Sequence, residues 1–446
     1  MPYLLGALFV WQITLDIFVI DKGLAPGISF KNLFLYSFFA FLMLRGMLTR
    51  ELRFRPRGMH TPQLLLILYA LLTWVVASFI IRYDNYDVVG NGLLIKPIIA
   101  DFYVMFLVCF FAVRTKEETD LAMRLAALAS NLPQLFTLAE VSGLTGFGVS
   151  PIRDDGRVDG ALGEANMYAA YIAFFLPIYI ARAVTDRGFW RTTWIASAGM
   201  AAVVMLLTVS RGGFLGLFVG AIIAAYIFRR QLPVSRLLAI GTAGIVLCLL
   251  VMFAINSEFR SLVLDRLMSE SGQADLGEAT SGRTDFWIAA IKVMAAEPLT
   301  FLTGYGWRVY WSMPFQYSPH NTYLSYWFNL GLPGLICLII PFVTAIKLAT
   351  KTAKRLTSPD RFTYIAFVVS LLSVATAVFF IEMFAAWLYI WAYIGFVTRA
   401  GLLAVQTEVQ NGGRPVLQQA PVQASDRYGW HAQPQSTNSP LRDRHG

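Results

Sequence analysis

Twelve apolar runs dominate the sequence, and each approaches or reaches the length of about 20 residues that crosses a bilayer as a helix. Of the 446 residues, 57% are hydrophobic and 14% are charged, whereas an ordinary soluble domain has roughly 45–50% apolar and 25% charged residues. A water-soluble globule is therefore excluded, and so is a single anchor behind a signal peptide. We predict an all-α polytopic membrane protein with about twelve transmembrane helices. The predicted spans are Leu4–Ile20, Leu33–Leu44, Leu64–Ile81, Leu93–Val113, Leu121–Val141, Met167–Ala181, Trp194–Val209, Phe214–Phe228, Leu237–Ile255, Asn321–Ile346, Phe362–Phe380 and Ala385–Ala404.

The distribution of charge predicts the orientation of these spans. If the N-terminus is cytoplasmic, two thirds of the 36 lysines and arginines fall on the cytoplasmic side, in agreement with the positive-inside rule. Two thirds of the 27 acidic residues then fall on the external side. We therefore expect both termini to be cytoplasmic. The net charge of +9 reflects this orientation, and no binding of nucleic acid is predicted.

Two stretches lie outside the predicted spans and set the domain organisation. The external loop Asn256–Pro319, between the ninth and tenth spans, is mixed in charge and contains helix-like amphipathic pieces, so we expect it to fold against a transmembrane domain of residues 1–404. Long loops of this kind commonly carry function. The tail Val405–Gly446 is rich in Gln, Pro, Gly and Ser and has no periodicity, which predicts a disordered cytoplasmic extension.

The sequence lacks the common motifs of nucleotide and metal chemistry. It has no Walker A motif, no G-x-G-x-x-G after a strand, no D-x-D and no C-x-x-C. Of its four histidines, only His320 falls on the predicted external side, which excludes a multi-histidine zinc site there. We therefore predict chemistry that uses no nucleotide, no metal and no other cofactor.

His320 lies where the long loop meets the tenth span. It is the only external imidazole, and imidazole is the side chain best suited to general base catalysis near neutral pH. If the chemistry needs such a base, this residue supplies it. The alternative is a polar helix start, because Ser318-Pro319-His320-Asn321 also fits an N-terminal cap with proline near the first turn.

Arg211 and Gly212 belong to the short turn between the seventh and eighth spans. A turn this short holds Arg211 at the external edge of the hydrocarbon, at the height of lipid phosphates. The guanidinium fork suits phosphate oxygens, and Gly212 and Gly213 would leave free N–H groups at a helix N-terminus. The alternative is that the turn needs glycines and Arg211 reaches lipid headgroups. An external arginine nevertheless runs against the charge asymmetry of this chain.

Two further arginines fall on the same predicted face of the membrane. Arg283 begins a predicted helix in the long loop, and Arg157 precedes the sixth span. Each alone is a weak indication, because an arginine beside aspartates is most often a solvated pair that contributes little. Together, however, Arg157, Arg211, Arg283 and His320 are predicted to lie on the same, external face of the membrane.

Two acidic residues, Asp16 and Asp101, fall inside apolar runs. Ionised groups inside a membrane are costly and by default indicate function. Both lie near the ends of their predicted spans, so we interpret them as residues at the membrane boundary.

The order and placement of these motifs resemble the O-antigen ligase and polymerase superfamily. The motifs are Arg211-x-x-x-Leu215 after the seventh span, Gly282-Arg283-x-x-x-Trp287 and Gly304-x-Gly306 in the long loop, and His320-Asn321-x-x-Leu324 followed by Gly331-x-x-Gly334. The resemblance covers the region from about Gly156 to Gly334, and the first five spans add only hydropathy to it.

The resemblance implies a glycosyltransferase of the bacterial inner membrane with a periplasmic active site. The implied donor is a glycan on undecaprenyl diphosphate, and ligases of this family need no metal. His320 matches the essential histidine that activates or positions the acceptor hydroxyl, and Arg211 and Arg283 match arginines that hold the donor diphosphate and stabilise its charge as it leaves. The candidate substrate-binding residues are Arg157, Gly212 and Asn321.

The family resemblance alone does not determine the stereochemistry of the reaction or the identity of the acceptor. We predict inversion by direct displacement, because no carboxylate of matching position could act as a nucleophile. The acceptor is a lipid A core or another glycan for an O-antigen ligase of lipopolysaccharide biosynthesis, a second lipid-linked repeat for a polymerase, or a protein hydroxyl. The His320-Asn321 motif after a long loop favours the ligase. Two other classes of protein are less consistent with the sequence. A secondary transporter would place buried charge at mid-membrane, and a purely structural assembly partner would not need external arginines. The sequence predicts no specific protein partner.

Overall fold

Helices form the fold throughout the part of the chain that the computed structural model describes, which is residues 1–18, 29–49, 57–148, 152, 157–230, 283–314, 318–357, 359–382 and 387–410. Within these ranges no β-strand is present, and one isolated bridge pairs Ile152 with Val158. The all-α prediction is confirmed. In chain order the helices are α1 (Pro2–Phe18), α2 (Phe30–Leu48), α3 (Arg57–Val75), α4 (Val88–Ile95), α5 (Asp101–Ala112), α6 (Lys116–Ala129), α7 (Leu132–Val141), α8 (Ala165–Thr185), α9 (Phe189–Thr208), α10 (Arg211–Ile227), α11 (Arg283–Ala296), α12 (Pro298–Thr303), α13 (Thr322–Arg355), α14 (Asp360–Ala377) and α15 (Trp387–Gln410). Short π-helices extend α3 (Val76–Ile81) and join α4 to α5 (Lys96–Ala100).

Seven helical segments in the described ranges are long and apolar enough to cross a membrane, so the protein is a multi-pass membrane protein. They are Gly58–Ile81, Val88–Ala112, Ala165–Thr185, Phe189–Thr208, Thr322–Arg355, Asp360–Ala377 and Trp387–Ala404. Helices α1 and α10 are apolar but shorter. The predicted ninth span, Leu237–Ile255, and the loop up to Gly282 lie outside the described residues, so the total of twelve spans stays a prediction.

The predicted fifth span, Leu121–Val141, is a broken helix. Helix α6 ends at Ala129 and α7 begins at Leu132. Pro133 at the start of α7 has no N–H to continue the hydrogen-bond ladder. The side chains of Ser130 and Asn131 instead donate to the Ala127 carbonyl at 2.7 and 3.2 Å. Local polar contacts and proline therefore divide a run that hydropathy alone joins.

Glycines bring α10 and α14 into close contact. A Cβ at Gly216 would lie 2.5 Å from the Ser373 carbonyl oxygen, and one at Gly220 would lie 2.4 Å from the Ser373 hydroxyl oxygen. Small residues spaced by four are the usual means by which membrane helices approach this closely. The packing fixes the start of α10, where Arg211 lies, relative to the end of α14.

A second glycine joint attaches the end of the long loop to α13. Gly331 has φ 60° and ψ −165° inside α13, which continues beyond the resulting kink. A Cβ there would lie 2.2 Å from the Leu302 carbonyl oxygen, and one at Gly304 would lie 2.4 Å from the Gly331 nitrogen. The backbone N–H groups of Tyr305 and Gly306 donate to carbonyls of α13, at 2.9 Å each. Two backbones thus meet where no side chain fits.

Asp101 lies inside a continuous helical segment, not at a boundary. The segment Val88–Ala112 begins before the predicted span, because a π-helix carries the chain from α4 into α5. The buried carboxylate of Asp101 accepts hydrogen bonds from Lys96 at 3.1 Å and from the Tyr36 hydroxyl at 2.7 Å. The boundary interpretation is therefore wrong for Asp101, whereas Asp16 does lie near the end of α1.

The C-terminal helix continues past the predicted start of the tail. The chain divides into Met1–Val405 and Gln406–Gly446, and α15 ends at Gln410. The remainder of the predicted tail, residues 411–446, lies outside the described residues.

Candidate active site

Trp287 joins three of the predicted motifs at one end of the helical bundle. Its indole Nε1 donates a hydrogen bond to the Pro319 carbonyl at 2.7 Å. Its ring centroid lies 6.4 Å from that of Phe380, and a Cβ at Gly212 would lie 3.1 Å from the Phe380 Cβ. Trp287 and Phe380 therefore form one aromatic pair. Around it meet the start of α10, the start of α11 and the segment before α13.

Arg211 and Arg283 each begin a helix at this end. Arg211 is the first residue of α10 and is exposed, and Arg283 is the first residue of α11 and is half-buried. Because residues four apart share a helix face, Arg283 lies on the face of α11 that carries Trp287. The partial positive charge of the N-terminus of α10 adds to the electrostatic field of the Arg211 guanidinium. This end of the bundle therefore suits an anionic group.

Ser210 and Asn166 hold the turn that precedes Arg211. The Ser210 hydroxyl oxygen accepts from the Gly213 N–H at 3.3 Å, which caps α10, and the hydroxyl donates to Asn166 Oδ1 at 2.9 Å. The expectation of a free N–H at Gly213 is therefore wrong, because a side-chain cap occupies it. Gly212 instead provides the close approach of α10 to the aromatic pair.

Arg157 supports the same turn from inside the protein. Its side chain is buried, its Nε donates to the Thr208 carbonyl at 2.9 Å, and its Nη2 donates to Asn166 Oδ1 at 2.9 Å. Thr208 ends α9, so Arg157 satisfies a carbonyl that has no partner within the helix. These contacts give Arg157 a part in positioning Arg211, and contact with substrate stays a prediction.

Asn321 caps α13. Its Oδ1 accepts from the Leu324 N–H at 3.0 Å, and the residue is buried. The helix-start interpretation of this motif is therefore confirmed, with Asn321 as the capping residue. His320, directly before it, has an exposed side chain and a φ of 47°. A role of Asn321 in binding substrate stays a prediction.

Glu382, which the sequence motifs did not single out, is the acidic partner of this site. It follows α14 and accepts hydrogen bonds from the hydroxyls of Ser318 and Ser325. Burial raises the pKa of Glu382, and the two hydroxyls, followed by the charges of His320 and Arg308, oppose the rise. The carboxylate therefore lies within electrostatic reach of His320. Its sequence signal is that it is the only charged residue between the last two predicted spans.

Backbone strain is concentrated around these residues. Five non-glycine residues in the described ranges have positive φ, and three of them, Val209, Arg308 and His320, border the site. Such conformations are uncommon, are least tolerated by β-branched residues such as valine, and cluster at functional sites. The strain therefore supports a functional interpretation of this end of the bundle.

The comparison with protein families agrees with the motifs. Residues 196–339 match the family model described as O-Antigen ligase. This range holds Arg211, Arg283 and His320, whereas Arg157 and Glu382 lie outside it. No curated protein matches the chain. Residues 196–339 are thus similar to the O-antigen ligase family, and the predicted resemblance to the O-antigen ligase superfamily is confirmed.

Proposed function

We propose that the protein transfers a glycan from undecaprenyl diphosphate to an acceptor hydroxyl, as an O-antigen ligase of lipopolysaccharide biosynthesis. The observation that carries the proposal is the set of contacts made by Trp287. They tie the helix of Arg283 to the segment of His320 and, through Phe380, to the turn of Arg211. Two cations and one base from distant parts of the chain thus belong to one end of the bundle.

Arg211 and Arg283 bind the donor diphosphate in this mechanism. A guanidinium offers paired N–H donors that match phosphate oxygens, and Arg211 also stands at the N-terminus of α10, which Ser210 caps. When the bond from the anomeric carbon to the phosphate oxygen breaks, its electron pair stays on that oxygen. The two cations stabilise the charge that develops there, and electrostatic stabilisation of this kind commonly lowers a reaction barrier more than any other effect. The donor supplies its own activated bond, so the step uses no nucleotide and no metal.

His320 accepts the proton of the attacking hydroxyl. The acceptor oxygen forms its bond to the anomeric carbon from the side opposite the diphosphate, so the configuration inverts. The products are the glycoside, the lipid diphosphate and a protonated imidazole that later releases its proton to water. Glu382 balances the charge of the imidazolium, and its hydrogen bonds from Ser318 and Ser325 hold the carboxylate in place.

The proposed orientation follows from charge. With both termini in the cytoplasm, the end of the bundle that holds Arg211, Arg283 and His320 faces the periplasm of a bacterial inner membrane. A donor lipid in the outer half of the bilayer then presents its phosphates at the height of Arg211.

A transfer assay in nanodiscs tests the proposal. Purified protein receives undecaprenyl-diphosphate-linked repeat units with and without a lipid A core acceptor, in the presence of EDTA. The variants are Arg211→Ala and His320→Ala, and Arg191→Ala is the matched control, because Arg191 is an exposed arginine in the first turn of another helix, α9. We expect glycan on the core only when the core is supplied, loss of transfer in both site variants, and normal transfer in the control.

Other outcomes would contradict the proposal in different ways. A ladder that grows on the donor lipid without the core would make the protein a polymerase. Transfer that survives both site variants would remove Arg211 and His320 from the mechanism. Loss of transfer on addition of EDTA would contradict the metal-independent reaction.

A further inference from the structure

His320 combines an exposed side chain with a constrained backbone. Its φ of 47° lies in the left-handed region, which is unfavourable for any residue that carries a Cβ. Such a conformation persists only when the surrounding structure enforces it. Because the imidazole is exposed, contacts of the backbone must supply most of this constraint.

Two sets of contacts hold the residues on either side of His320. Before it, the Pro319 carbonyl accepts a hydrogen bond from Trp287 Nε1 at 2.7 Å. After it, the N–H and the hydroxyl of Thr322 donate to the Ile381 carbonyl at 3.1 and 2.8 Å. The chain is thus attached to α11 on one side of His320 and to the segment after α14 on the other. Neither set involves His320 itself.

The Ser318 hydroxyl contacts the backbone of His320 directly. Its oxygen accepts from the His320 N–H at 3.3 Å, and its proton is donated to the Glu382 carboxylate. A hydroxyl has one proton to donate and two lone pairs that can accept, whereas an ionised carboxylate only accepts. The bond to Glu382 therefore fixes the rotation of the buried Ser318 hydroxyl and leaves its lone pairs for the His320 N–H.

Ser325 makes the same contact with the carboxylate but a different one with the backbone. Its hydroxyl donates to the other carboxylate oxygen of Glu382, and its side chain is buried like that of Ser318. It lies in the first turn of α13, and its hydroxyl makes no hydrogen bond to His320 in the described part of the chain. The two serines are thus alike in their contact with Glu382 and differ in their contact with His320.

We propose that Ser318 is a positioning residue of the transfer reaction. It holds the His320 backbone in the left-handed conformation and so fixes the direction in which the imidazole projects. Glu382 contributes by fixing the orientation of the Ser318 hydroxyl. This assignment rests on the proposed function for the role of His320 as the base, but the effect of Ser318 on the backbone of His320 does not.

Steady-state kinetics in nanodiscs test the assignment, with Ser325→Ala as the matched control for Ser318→Ala. Each variant removes one hydroxyl from the same carboxylate, but only Ser318→Ala removes the hydrogen bond to the His320 N–H. We expect the kcat of Ser318→Ala to lie about tenfold or more below that of Ser325→Ala, because a misplaced base reacts slowly. The KM values for donor and acceptor should agree within about twofold between the two variants. Equal kcat values, or a difference in KM instead of kcat, would overturn the assignment.

Amide NMR tests the effect on His320 without transfer. The chain has four histidines, so protein labelled with ¹⁵N at histidine gives few amide signals, and His320→Gln identifies the one from His320. We expect this amide proton to shift upfield in Ser318→Ala, because it loses its hydrogen bond, and to keep its position in Ser325→Ala. An unchanged signal in Ser318→Ala, or the same shift in both variants, would overturn the assignment.

The two experiments separate this assignment from the proposed function. A shifted amide signal in Ser318→Ala, when the native protein transfers no glycan, would contradict the proposed function and leave the effect of Ser318 on His320 intact. Transfer by the native protein with equal kcat in the two serine variants would do the reverse. The thermal unfolding midpoint of each variant checks its folding.

Discussion

Replacement of Gly331 by alanine tests whether the glycine joint holds the long loop in place. Gly331 has φ 60° and ψ −165°, a region open essentially only to glycine, and forcing another residue into it costs about 1–3 kcal/mol. The new Cβ would lie 2.2 Å from the Leu302 carbonyl oxygen and 2.6 Å from the Gly304 nitrogen. Backbone cannot move aside like a flexible side chain, so this overlap adds about 1–3 kcal/mol. We expect a total loss of about 2–6 kcal/mol.

The matched control is Gly199→Ala. Gly199 lies within helix α9, and nothing lies within 4 Å of an added Cβ. Alanine there should be neutral or stabilise the helix by about 0.5–1 kcal/mol. Both variants add one methyl group to a glycine inside a long helix of the same protein, and the two sites differ in backbone conformation, burial and available space.

Thermal unfolding in detergent, followed by tryptophan fluorescence, measures the difference. We expect the midpoint of Gly331→Ala to fall by about 2–6 °C, while Gly199→Ala stays at or above the native value. Transfer should fall with Gly331→Ala, because Leu302 and Gly304 lie in and directly after α12, which follows the helix α11 that carries Arg283. Equal midpoints for both variants would refute the reasoning, since the backbone at Gly331 would then accommodate the methyl group without loss of stability.

Three further outcomes follow from polar contacts. Burial raises the pKa of Glu382 above its ordinary 4.5, so the stability of the native protein falls as pH rises through that raised value. At pH 7, Glu382→Gln should therefore unfold at a higher temperature than the native protein, and below pH 4.5 it should lose this advantage. The variant should also transfer glycan more slowly. Arg157→Lys should lose about 1.5–3 kcal/mol and raise the donor KM, because one ammonium cannot replace both guanidinium hydrogen bonds, which include the one to Thr208; an unchanged unfolding midpoint would contradict this. Arg182→Met should lower the unfolding midpoint by removing the 2.6 Å hydrogen bond to Asp120, yet leave the donor KM of the folded protein unchanged; a changed KM would show that this pair serves the site.

The sequence predicts the helices well because a membrane helix is specified locally. A run of apolar residues is itself the signal, so the predicted spans that fall on described residues overlap observed helices, with errors at their ends and a break within Leu121–Val141. Asp101 shows why the ends err: its charge falls inside an apolar run, and only the contacts with Lys96 and Tyr36 explain how a helix accommodates it there. These partners come from other positions in the chain, and hydropathy does not report them.

The same distinction applies to the site, where contacts between neighbours in the sequence could be predicted and contacts between distant residues could not. The Ser318–Asn321 motif could be interpreted as a helix start from its residues alone, and Asn321 does cap α13. The partnership of Glu382 with Ser318, in contrast, joins residues that are 64 positions apart. Trp287 and Phe380 are still further apart in the chain, and neither ring is chemically unusual in a membrane protein. Sequence motifs can thus identify the groups that do chemistry but not the residues that hold them together.

The division of labour among these residues has a physical reason. Displacement at an anomeric carbon requires cation, base and both substrates in fixed geometry, and a misplacement of about 1 Å can cost a factor of about 100 in rate. Arg211 and His320 are exposed, so the packing of their own side chains contributes little to their placement. Buried neighbours instead hold the backbone at these residues: Ser210 caps α10 directly before Arg211, and Asn321 caps α13 directly after His320. A membrane-surface enzyme needs exposed groups that contact substrate, because its lipid-linked donor must enter and leave from the bilayer. It also needs a buried group beside each of them that fixes the backbone.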